Sequence, residues 1–422
     1  MEEQFLHYIW QYQKFNKSQL RTTSGLPIVV FNPGHHNHDS GPDFEEAKLK
    51  IGELDWFGHV EIHVRSVDWI RHQHHLDSAY NGVILHGVWE HNKETLQANE
   101  PLQTLELKDL VDPEMVSRYT EYISNNQEVL CSNLLSGVSN ITFRSMIDRA
   151  LVERLELKAQ RILEQLEQNK NDWESVTYQT VVRNFGFSTN SIAFERLSEL
   201  LPYQKLKRVL NNPRQTEALI FGQAGFLRNS TDDYGRNLKQ EFDYLHQKFE
   251  LAEPMQPHEW KFGKLRPANL PYTRLSQLSS LLLASPQLFT ELIQIDKKSE
   301  LMKLLRTELN SYWQHHYDFN KVRIYPVKSL GSYSSLTLIT NIVAPLLAAY
   351  SKYTDNQSFM DRAIALLESL PSESNRIIKK WIKLDIKPES AFESQGLLQL
   401  FNCYCTHRKC LQCNIGVDIL NK

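Results

Sequence analysis

Carboxylates and imidazoles with metal-binding potential are concentrated in one short stretch of the sequence. Asp43 and Glu61 are 18 residues apart, and His59 and His63 flank Glu61 at two residues on either side. Carboxylate oxygens bind hard divalent cations, and histidine nitrogens bind transition metals. Alternation along an extended strand directs His59, Glu61 and His63 to one face of a sheet. The pattern predicts a divalent-metal site with Asp43 and Glu61 as ligands.

Two neighbouring strands are expected to hold these side chains. Residues 47–51 alternate apolar residues with lysine, residues 52–55 have turn composition, and residues 56–64 can form the return strand of a hairpin. Adjacent strands lie about 4.8 Å apart, so two facing carboxylates could share one cation. We therefore expect the carboxylates of Asp43 and Glu61 to lie within about 6 Å of each other.

A second group of histidines follows the hairpin. Residues 66–81 have mixed helical character, and on a helix His72 and His75 would share one face at i, i+3 spacing. We interpret His59, His72 and His75 as substrate-binding residues beside the metal. The histidines at positions 35, 36 and 38 are interpreted as part of a solvated polar loop that could add a ligand.

Composition supports a distinct amino-terminal module. Residues 1–110 contain 11 of the 16 histidines. The same residues include nine Lys and Arg and 16 Asp and Glu, so this segment is acidic. Their pattern predicts the element order α, β, β, β, α, β. The whole chain has 422 residues, 41% hydrophobic residues and a net charge of −3, which excludes a wholly disordered chain, a collagen-like fibre and a polytopic membrane protein. The chain has no overall excess of basic residues, which non-specific binding of nucleic acid would require.

Residues 111–400 are expected to be mostly α-helical, with long periodic stretches separated by proline-containing loops. Within them a basic patch surrounds Trp260. We interpret Lys264, Arg266 and Arg274 as residues that could contact a phosphate backbone, although a charge run is more often only a solvated face.

Residues 401–422 form a cysteine-rich tail that we expect to pack on the helical region. Its four cysteines are Cys403, Cys405, Cys410 and Cys413. Four thiolates at this spacing suit a closed tetrahedral Zn²⁺ site of structural type. An iron–sulfur cluster is the less favoured alternative, and reduced or disulfide-prone cysteines are a third. The remaining cysteine, Cys131, is interpreted as a small buried hydrophobe.

The first 110 residues resemble the PD-(D/E)XK nuclease superfamily through Pro42-Asp43 and Glu61-Ile62-His63. The resemblance implies a restriction-endonuclease-like α/β module, a catalytic Mg²⁺ or Mn²⁺ and a DNA or RNA substrate, with Asp43, Glu61 and His63 as catalytic residues. This chain has His63 where that superfamily has a lysine, and histidine could act as a general base or as a third metal ligand. The full chain also resembles an uncharacterised bacterial family that shares the Ser-Gly-Pro-Asp-Phe and Val-Glu-Ile-His stretches and the cysteine-rich tail.

The sequence therefore predicts an α+β protein with three hypotheses for its function. The first is a metal-dependent nuclease or phosphodiesterase acting on nucleic acid. The second is a non-catalytic nucleic-acid or protein interaction module of the same fold. The third, a His/carboxylate metallohydrolase of small substrates, has no His-Glu-x-x-His signature to support it. No secretory signal or sufficiently long apolar run is visible, so the cytoplasm, away from any membrane, is the expected location.

Overall fold

The structure is a computed structural model that describes residues 1–37, 39–97, 100–125, 127–228, 230 and 232–422. Contacts divide the chain into two units: residues 1–146 with 400–422, and residues 147–399. The predicted α+β class is confirmed, with a mixed sheet near the amino terminus and a helical region after it. The division differs from the predicted one at the tail, because residues 400–422 belong to the first unit.

The first unit is built around a six-stranded mixed sheet. Its helices and strands are α1 (Glu3–Gln11), β1 (Ile28–Asn32), β2 (His35–His36), β3 (Phe44–Ile51), β4 (Leu54–Arg65), α2 (Asp68–Arg71), β5 (Val83–Glu90), β6 (Leu96–Gln97), β7 (Glu100–Pro101), β8 (Thr104–Glu106) and α3 (Pro113–Ser124). The sheet order is β1-β3-β4-β5-β8, with β2 also paired to β3, while β6 and β7 form a separate pair. The first two pairings along this order are antiparallel and the next two are parallel.

Apolar periodicity explains how this sheet is covered. The buried residues of α1 include Phe5, Leu6, Ile9 and Trp10, which recur at helical spacing, and α1 packs on β4. In β3 the side chains of Ala47, Leu49 and Ile51 are buried in alternation with lysines. Strand β4 is buried continuously from Val60 to His63, because a strand in the middle of a covered sheet has both faces enclosed.

The tail packs within the first unit through the end of the chain. Helix α19 (Asn414–Leu420) lies against α3, where the Tyr122 hydroxyl donates to the carbonyl of Gly416 at 3.1 Å. The Tyr8 hydroxyl lies 3.4 Å from Asn421 Oδ1. These contacts join segments about 300 residues apart or more in sequence, which no local pattern can reveal.

Helix α4 (Asn140–Gln168) begins in the first unit and ends in the second. The described residues of the second unit form helices and one short strand pair. Its elements are α5 (Trp173–Phe185), α6 (Phe187–Leu200), α7 (Tyr203–Leu206), α8 (Pro213–Gln223), α9 (Asp233–Lys248), α10 (Pro271–Ala284), α11 (Leu288–Gln294), α12 (Lys298–Leu305), α13 (Ser311–His315), β9 (His316–Asp318), β10 (Lys321–Val322), α14 (Ser332–Leu338), α15 (Ala344–Thr354), α16 (Gln357–Ser369), α17 (Arg376–Lys383) and α18 (Ala391–Gln399).

One continuous helical stretch, Ser332–Thr354, is long and apolar enough to span a membrane by length and composition. It comprises α14, a π-helical turn and α15, and its mean hydropathy is 1.3. About two thirds of its apolar window is buried inside the protein, as is common for a core helix, so the stretch is only weak evidence for a membrane span.

The core of the helical unit contains a buried carboxyl, Glu217 of α8. It accepts hydrogen bonds from the Tyr234 hydroxyl and the Asn310 amide, and burial raises its pKa from 4.5 to about 7. Below pH 4.5 the group is protonated in both the folded and the unfolded chain, so it does not affect the free energy of unfolding. Between pH 4.5 and 7 its burial increasingly destabilises the fold, and above pH 7 the full cost is present.

Glu217→Gln should therefore stabilise the protein at alkaline pH and leave it unchanged in acid. We expect the free energy of unfolding to rise by up to about 3 kcal/mol above pH 7, with no gain near pH 4.5. Urea unfolding of both proteins across this pH range measures the difference. Glu156→Gln, at an exposed position of α4, is the matched control and should change neither value. A variant destabilised at every pH would show that the charged carboxylate stabilises the core.

Candidate metal centre

Asp43 and Glu61 are brought side by side by strands β3 and β4. The Asp43 N–H donates to Glu61 Oε2 at 3.1 Å, and the Ile62 N–H donates to Asp43 Oδ2 at 2.9 Å. Asp43 is placed by the turn before β3, where Gly41 adopts φ +116°, a conformation that favours glycine. Each carboxylate is thus held by a backbone N–H at or beside the neighbouring strand, and the shared cation stays a prediction.

Imidazole nitrogens face both carboxylates without forming hydrogen bonds to them. His74 Nε2 lies 3.2 Å from Glu61 Oε1, and His7 Nε2 lies 3.3 Å from Asp43 Oδ2. Both nitrogens are buried and lack a hydrogen-bond partner among the described residues. Buried polar nitrogens are normally satisfied, and an unpaired one calls for an explanation such as an ion. Imidazole nitrogens this close to carboxylate oxygens could share a cation with them.

His63 is almost fully enclosed, with 1% of its surface exposed. Its Nδ1 lies 2.8 Å from His86 Nε2, and its Nε2 lies 3.1 Å from His72 Nδ1. His86 Nδ1 is in turn 3.5 Å from the Thr95 hydroxyl. A His86 side chain that accepts the Nδ1 proton of His63 would leave His63 Nε2 with a free lone pair, which is the usual support for a metal-binding histidine.

Four donor atoms converge in what we call the histidine cluster: His63, His72, His74 and Glu61. The ligand atoms of the three histidines all lie within 4.8 Å of one another. Glu61 Oε1 lies 3.6 Å from His63 Nε2 and 3.2 Å from His74 Nε2. Four ligands held about 2.1 Å from one Zn²⁺ at tetrahedral angles are about 3.4 Å apart. The spacing therefore allows His63, His72 and His74 to share one transition-metal ion, with the Glu61 carboxylate beside two of them.

Burial favours the neutral forms of Glu61, His63 and His74. It raises the pKa of Glu61 to about 9, to which the neighbouring Asp43 carboxylate contributes. It lowers the pKa of His63 to about 2 and that of His86 to about 3, and the surrounding imidazoles contribute to the shift of His63. The pKa of His74 is also lowered by burial. Neutral imidazole is the form that binds a metal, and a cation would compensate the buried Glu61 charge.

A break in the helix after β4 decides which histidines enter the cluster. Helix α2 ends at Arg71, Gln73 has the left-handed φ of 63°, and a 3₁₀ turn begins at His74. Because Gln73 is left-handed, the helix does not continue past it, and the side chain of His74 points inward beside His72. The predicted pairing of His72 with His75 on one helix face is wrong, because the chain is not one helix there and His75 is exposed.

His59 does not share the environment of Glu61 and His63. The pairing of β4 with β5 is irregular between His59 and Val60, which interrupts the strict alternation expected along β4. The His59 ring lies against Gly82, where an added Cβ would meet it at 2.8 Å. Within the described part of the chain, no contact joins His59 to the histidine cluster. Its predicted role in substrate binding stays a prediction.

Sequence reasoning missed several contributors. His7 reaches Asp43 from α1, where its imidazole interrupts an otherwise apolar helix face. Tyr80 packs on His74 with ring centroids 3.9 Å apart, and its hydroxyl donates to the Gly41 carbonyl at 3.2 Å. His36 stacks on Phe44, and His38 lies outside the described residues. The excess of histidine in residues 1–110 was the available signal for these contacts.

The basic residues of the helical unit do not form one surface. Lys264 and Arg266 are exposed, whereas Arg274 is 6% exposed inside α10. Arg274 donates to Gln277, Asn269 and Ser334, and its guanidinium lies 4.1 Å from the centroid of the Phe187 ring. A continuous backbone-binding patch of these three residues is therefore not formed, since Arg274 is enclosed by its neighbours.

The cysteines of the tail are unbridged, and Cys131 lies among them. Burial raises the pKa of Cys131 to about 12 and that of Cys410 to about 11, and nearby thiols add to both shifts: Cys410 and Cys413 for Cys131, and Cys413 for Cys410. No three of the cysteine sulfurs, all of which are described, lie within 4.8 Å of one another. Zinc at Cys403, Cys405, Cys410 and Cys413 stays a prediction.

Comparison with protein families gives one match over most of the chain. The model of a protein family of unknown function, DUF2851, matches residues 3–376. Comparison with the curated proteins and with the solved structures found no match.

Proposed function

Because the chain belongs to the DUF2851 family, whose description states no activity, we propose a function from the site itself: metal-dependent hydrolysis of phosphodiester bonds in nucleic acid. The histidine cluster would hold the ion, with Asp43 beside it. DNA or RNA would be the partner, and the cytoplasm the location. The bound ion would polarise a phosphate oxygen and lower the pKa of an attacking water.

One observation carries the proposal: His74 Nε2 is buried, has no hydrogen-bond partner among the described residues and faces Glu61 Oε1 together with His63. Three imidazoles and one carboxylate favour a borderline ion such as Mn²⁺ or Zn²⁺. Mg²⁺, which the resemblance to nucleases also implies, prefers oxygen ligands and water. Of the two ions predicted from the sequence, Mn²⁺ therefore fits the donor set better. His63 is better suited to be a ligand than a free base, because burial disfavours its protonated form.

The order of elements supports a nucleic-acid substrate. Helix α1, the antiparallel strands β1, β3 and β4, then α2 and the parallel strand β5 follow the order that the PD-(D/E)XK resemblance implies. Asp43 immediately precedes β3 and Glu61 lies within β4, the two positions at which that superfamily has its acidic residues. A restriction-endonuclease-like module is therefore part of the proposal.

Metal analysis combined with a cleavage assay tests the function. The purified protein should contain about one Mn²⁺, Zn²⁺ or similar ion in the histidine cluster, as a single convergent site requires. Single- and double-stranded DNA and RNA are then incubated with the metal-free protein and with Mg²⁺, Mn²⁺ or Zn²⁺ added separately. We expect cleavage that is stronger with Mn²⁺ than with Mg²⁺. Hydrolysis of small phosphodiesters but not of nucleic acid would favour the small-substrate metallohydrolase. A protein that binds the metal but cleaves no substrate would contradict the proposed nuclease activity.

A non-catalytic interaction module is the second candidate, and an exposed aromatic face favours it. Phe31 and Phe57 are 55% and 72% exposed, and Lys48 Nζ lies 5.7 Å and 5.6 Å from their ring centroids. Aromatic rings with an adjacent cation can stack on unpaired bases. Binding of single strands that is lost in Phe57→Ala, with no cleavage under any metal, would support this function over the first.

A further inference from the structure

A cleft inside the helical unit surrounds the buried guanidinium of Arg274. Its volume is about 170 Å³, and its walls are formed by residues of α6, α10, α14 and the segment before α10. At about 30 Å³ per water molecule, the space corresponds to five or six waters. The twelve lining residues, all within the described part of the chain, include no carboxylate, and Arg274 is their one charged member.

Arg274 is a buried cation without a countercharge. It forms no ion pair within the described residues; its acceptors are the neutral groups Gln277 Oε1, Asn269 Oδ1 and Ser334 Oγ. The guanidinium has five N–H groups, of which these bonds use three, and Nε is left without a partner. Buried charges are normally paired, because removing a cation from water is costly without a compensating anion.

Two further residues of the lining carry hydroxyl donors. Ser188, which is exposed, and Thr189, which is partly buried, form no side-chain hydrogen bond to any described residue. Phe187, which precedes them, has the left-handed φ of 48° and presents its ring to the Arg274 guanidinium. A bulky residue is rarely found in this conformation, and such strain is retained where the surroundings impose it. Phe194, Leu265 and Pro271 make the rest of the wall apolar.

We propose that this cleft binds the phosphate group of a small ligand, with Arg274 as the countercharge and Ser188 and Thr189 as hydroxyl donors. A compact oxyanion would accept the unused N–H groups of the cation and neutralise its charge. The cleft has room for a phosphate and a few further atoms, and the apolar wall would contact those atoms. A duplex backbone does not fit, because Arg274 is 6% exposed. The site lies in the second unit and does not depend on the proposed hydrolysis.

Thermal unfolding in phosphate and in chloride at equal ionic strength tests the proposal, with inorganic phosphate and a nucleoside monophosphate as separate probes. Phosphate should raise the melting temperature of the wild type, and Arg274→Gln should weaken the affinity about 10- to 100-fold, the effect of losing a charged hydrogen bond. Ser188→Ala with Thr189→Val should weaken it less. Arg196→Gln, at an exposed arginine of α6 outside the cleft, should respond like the wild type, which controls for the general effect of phosphate on protein stability.

The same variants separate binding from a purely structural role. In chloride, Arg274→Gln should melt at the wild-type temperature or higher, because it removes an uncompensated buried charge. A phosphate response that persists in Arg274→Gln, or that is absent in the wild type, overturns the proposal. A response to acetate but not to phosphate also overturns it, in favour of a carboxylate ligand. If Arg274→Gln fails to fold, the variant with both Ser188→Ala and Thr189→Val tests the site instead. A phosphate-induced rise in its melting temperature as large as that of the wild type would contradict the proposal.

Discussion

Replacing Glu61 with Gln should remove the ion of the histidine cluster, without affecting any zinc in the tail, and abolish phosphodiester cleavage. Glu61 is 4% exposed, and its Oε1 approaches both His63 and His74, so it is the carboxylate at the centre of the histidine cluster. The amide keeps the volume but loses the negative charge that a cation requires. Metal content by mass spectrometry and cleavage of single- and double-stranded substrates measure the two losses. The metal-free variant should melt near the temperature of the metal-free wild type.

Adjacent histidines provide a matched pair for the same experiment. His74→Ala should lose the ion and the activity, whereas His75→Ala, at the exposed neighbouring position, should retain both. His86→Ala should weaken metal binding by about 10- to 100-fold, as is common when the support of a ligand is lost. Cleavage that persists undiminished in Glu61→Gln would point to a contaminant or to another site. Equal losses in the His74 and His75 variants would remove the histidine cluster as the metal site.

Loss of a metal from the cysteine-rich tail should have the largest effect on stability. If zinc is bound there, chelation should lower the melting temperature strongly, because structural zinc in small motifs contributes about 10 kcal/mol or more. After burial, the proximity of Cys410 and Cys413 helps to raise the pKa of the Cys131 and Cys405 thiols, and a bound cation would favour their thiolate forms. We therefore expect Cys131→Ser to release the ion as fully as Cys410→Ser does.

Cys403→Ser is the control that separates the two possible ligand sets. If Cys131 is the fourth ligand, this variant should retain the metal and melt at the wild-type temperature. If the four tail cysteines bind zinc, as the sequence alone predicts, it should lose the metal and melt at a lower temperature. Iron with a visible absorbance in place of zinc would indicate the iron–sulfur alternative. A protein that contains neither zinc nor iron, and that melts unchanged with a chelator, would show that packing alone holds the tail.

Local patterns were sufficient for the central hairpin of the sheet. The alternation of residues 47–51 and the return strand at 56–64 correspond to β3 and β4, and the Asp43 N–H and the Glu61 carboxylate meet across this hairpin. These features depend on side-chain periodicity and on hairpin geometry, both of which are local properties of the chain.

The remaining features depend on single conformations and distant contacts. A left-handed Gln73 selects His74 over His75, and no periodicity reveals that one residue. Cys131 reaches the tail across more than 270 positions, and Arg274 is buried by helices from several segments. The predicted boundary at residue 110 moves to residue 146 because α3 packs on the tail, a contact between opposite ends of the sequence.

The sequence order of the two units has a consequence for synthesis. Residues 147–399 are nested between the two parts of the first unit. A ribosome therefore synthesises every residue of the histidine cluster first and the whole helical unit next. Residues 400–422, which complete the first unit, are synthesised last. Domains generally fold as their residues emerge, so the helical unit can fold while the earlier one still waits for residues 400–422. A nascent chain interrupted within the helical unit carries all the proposed metal ligands of the cluster without the segment that closes their fold.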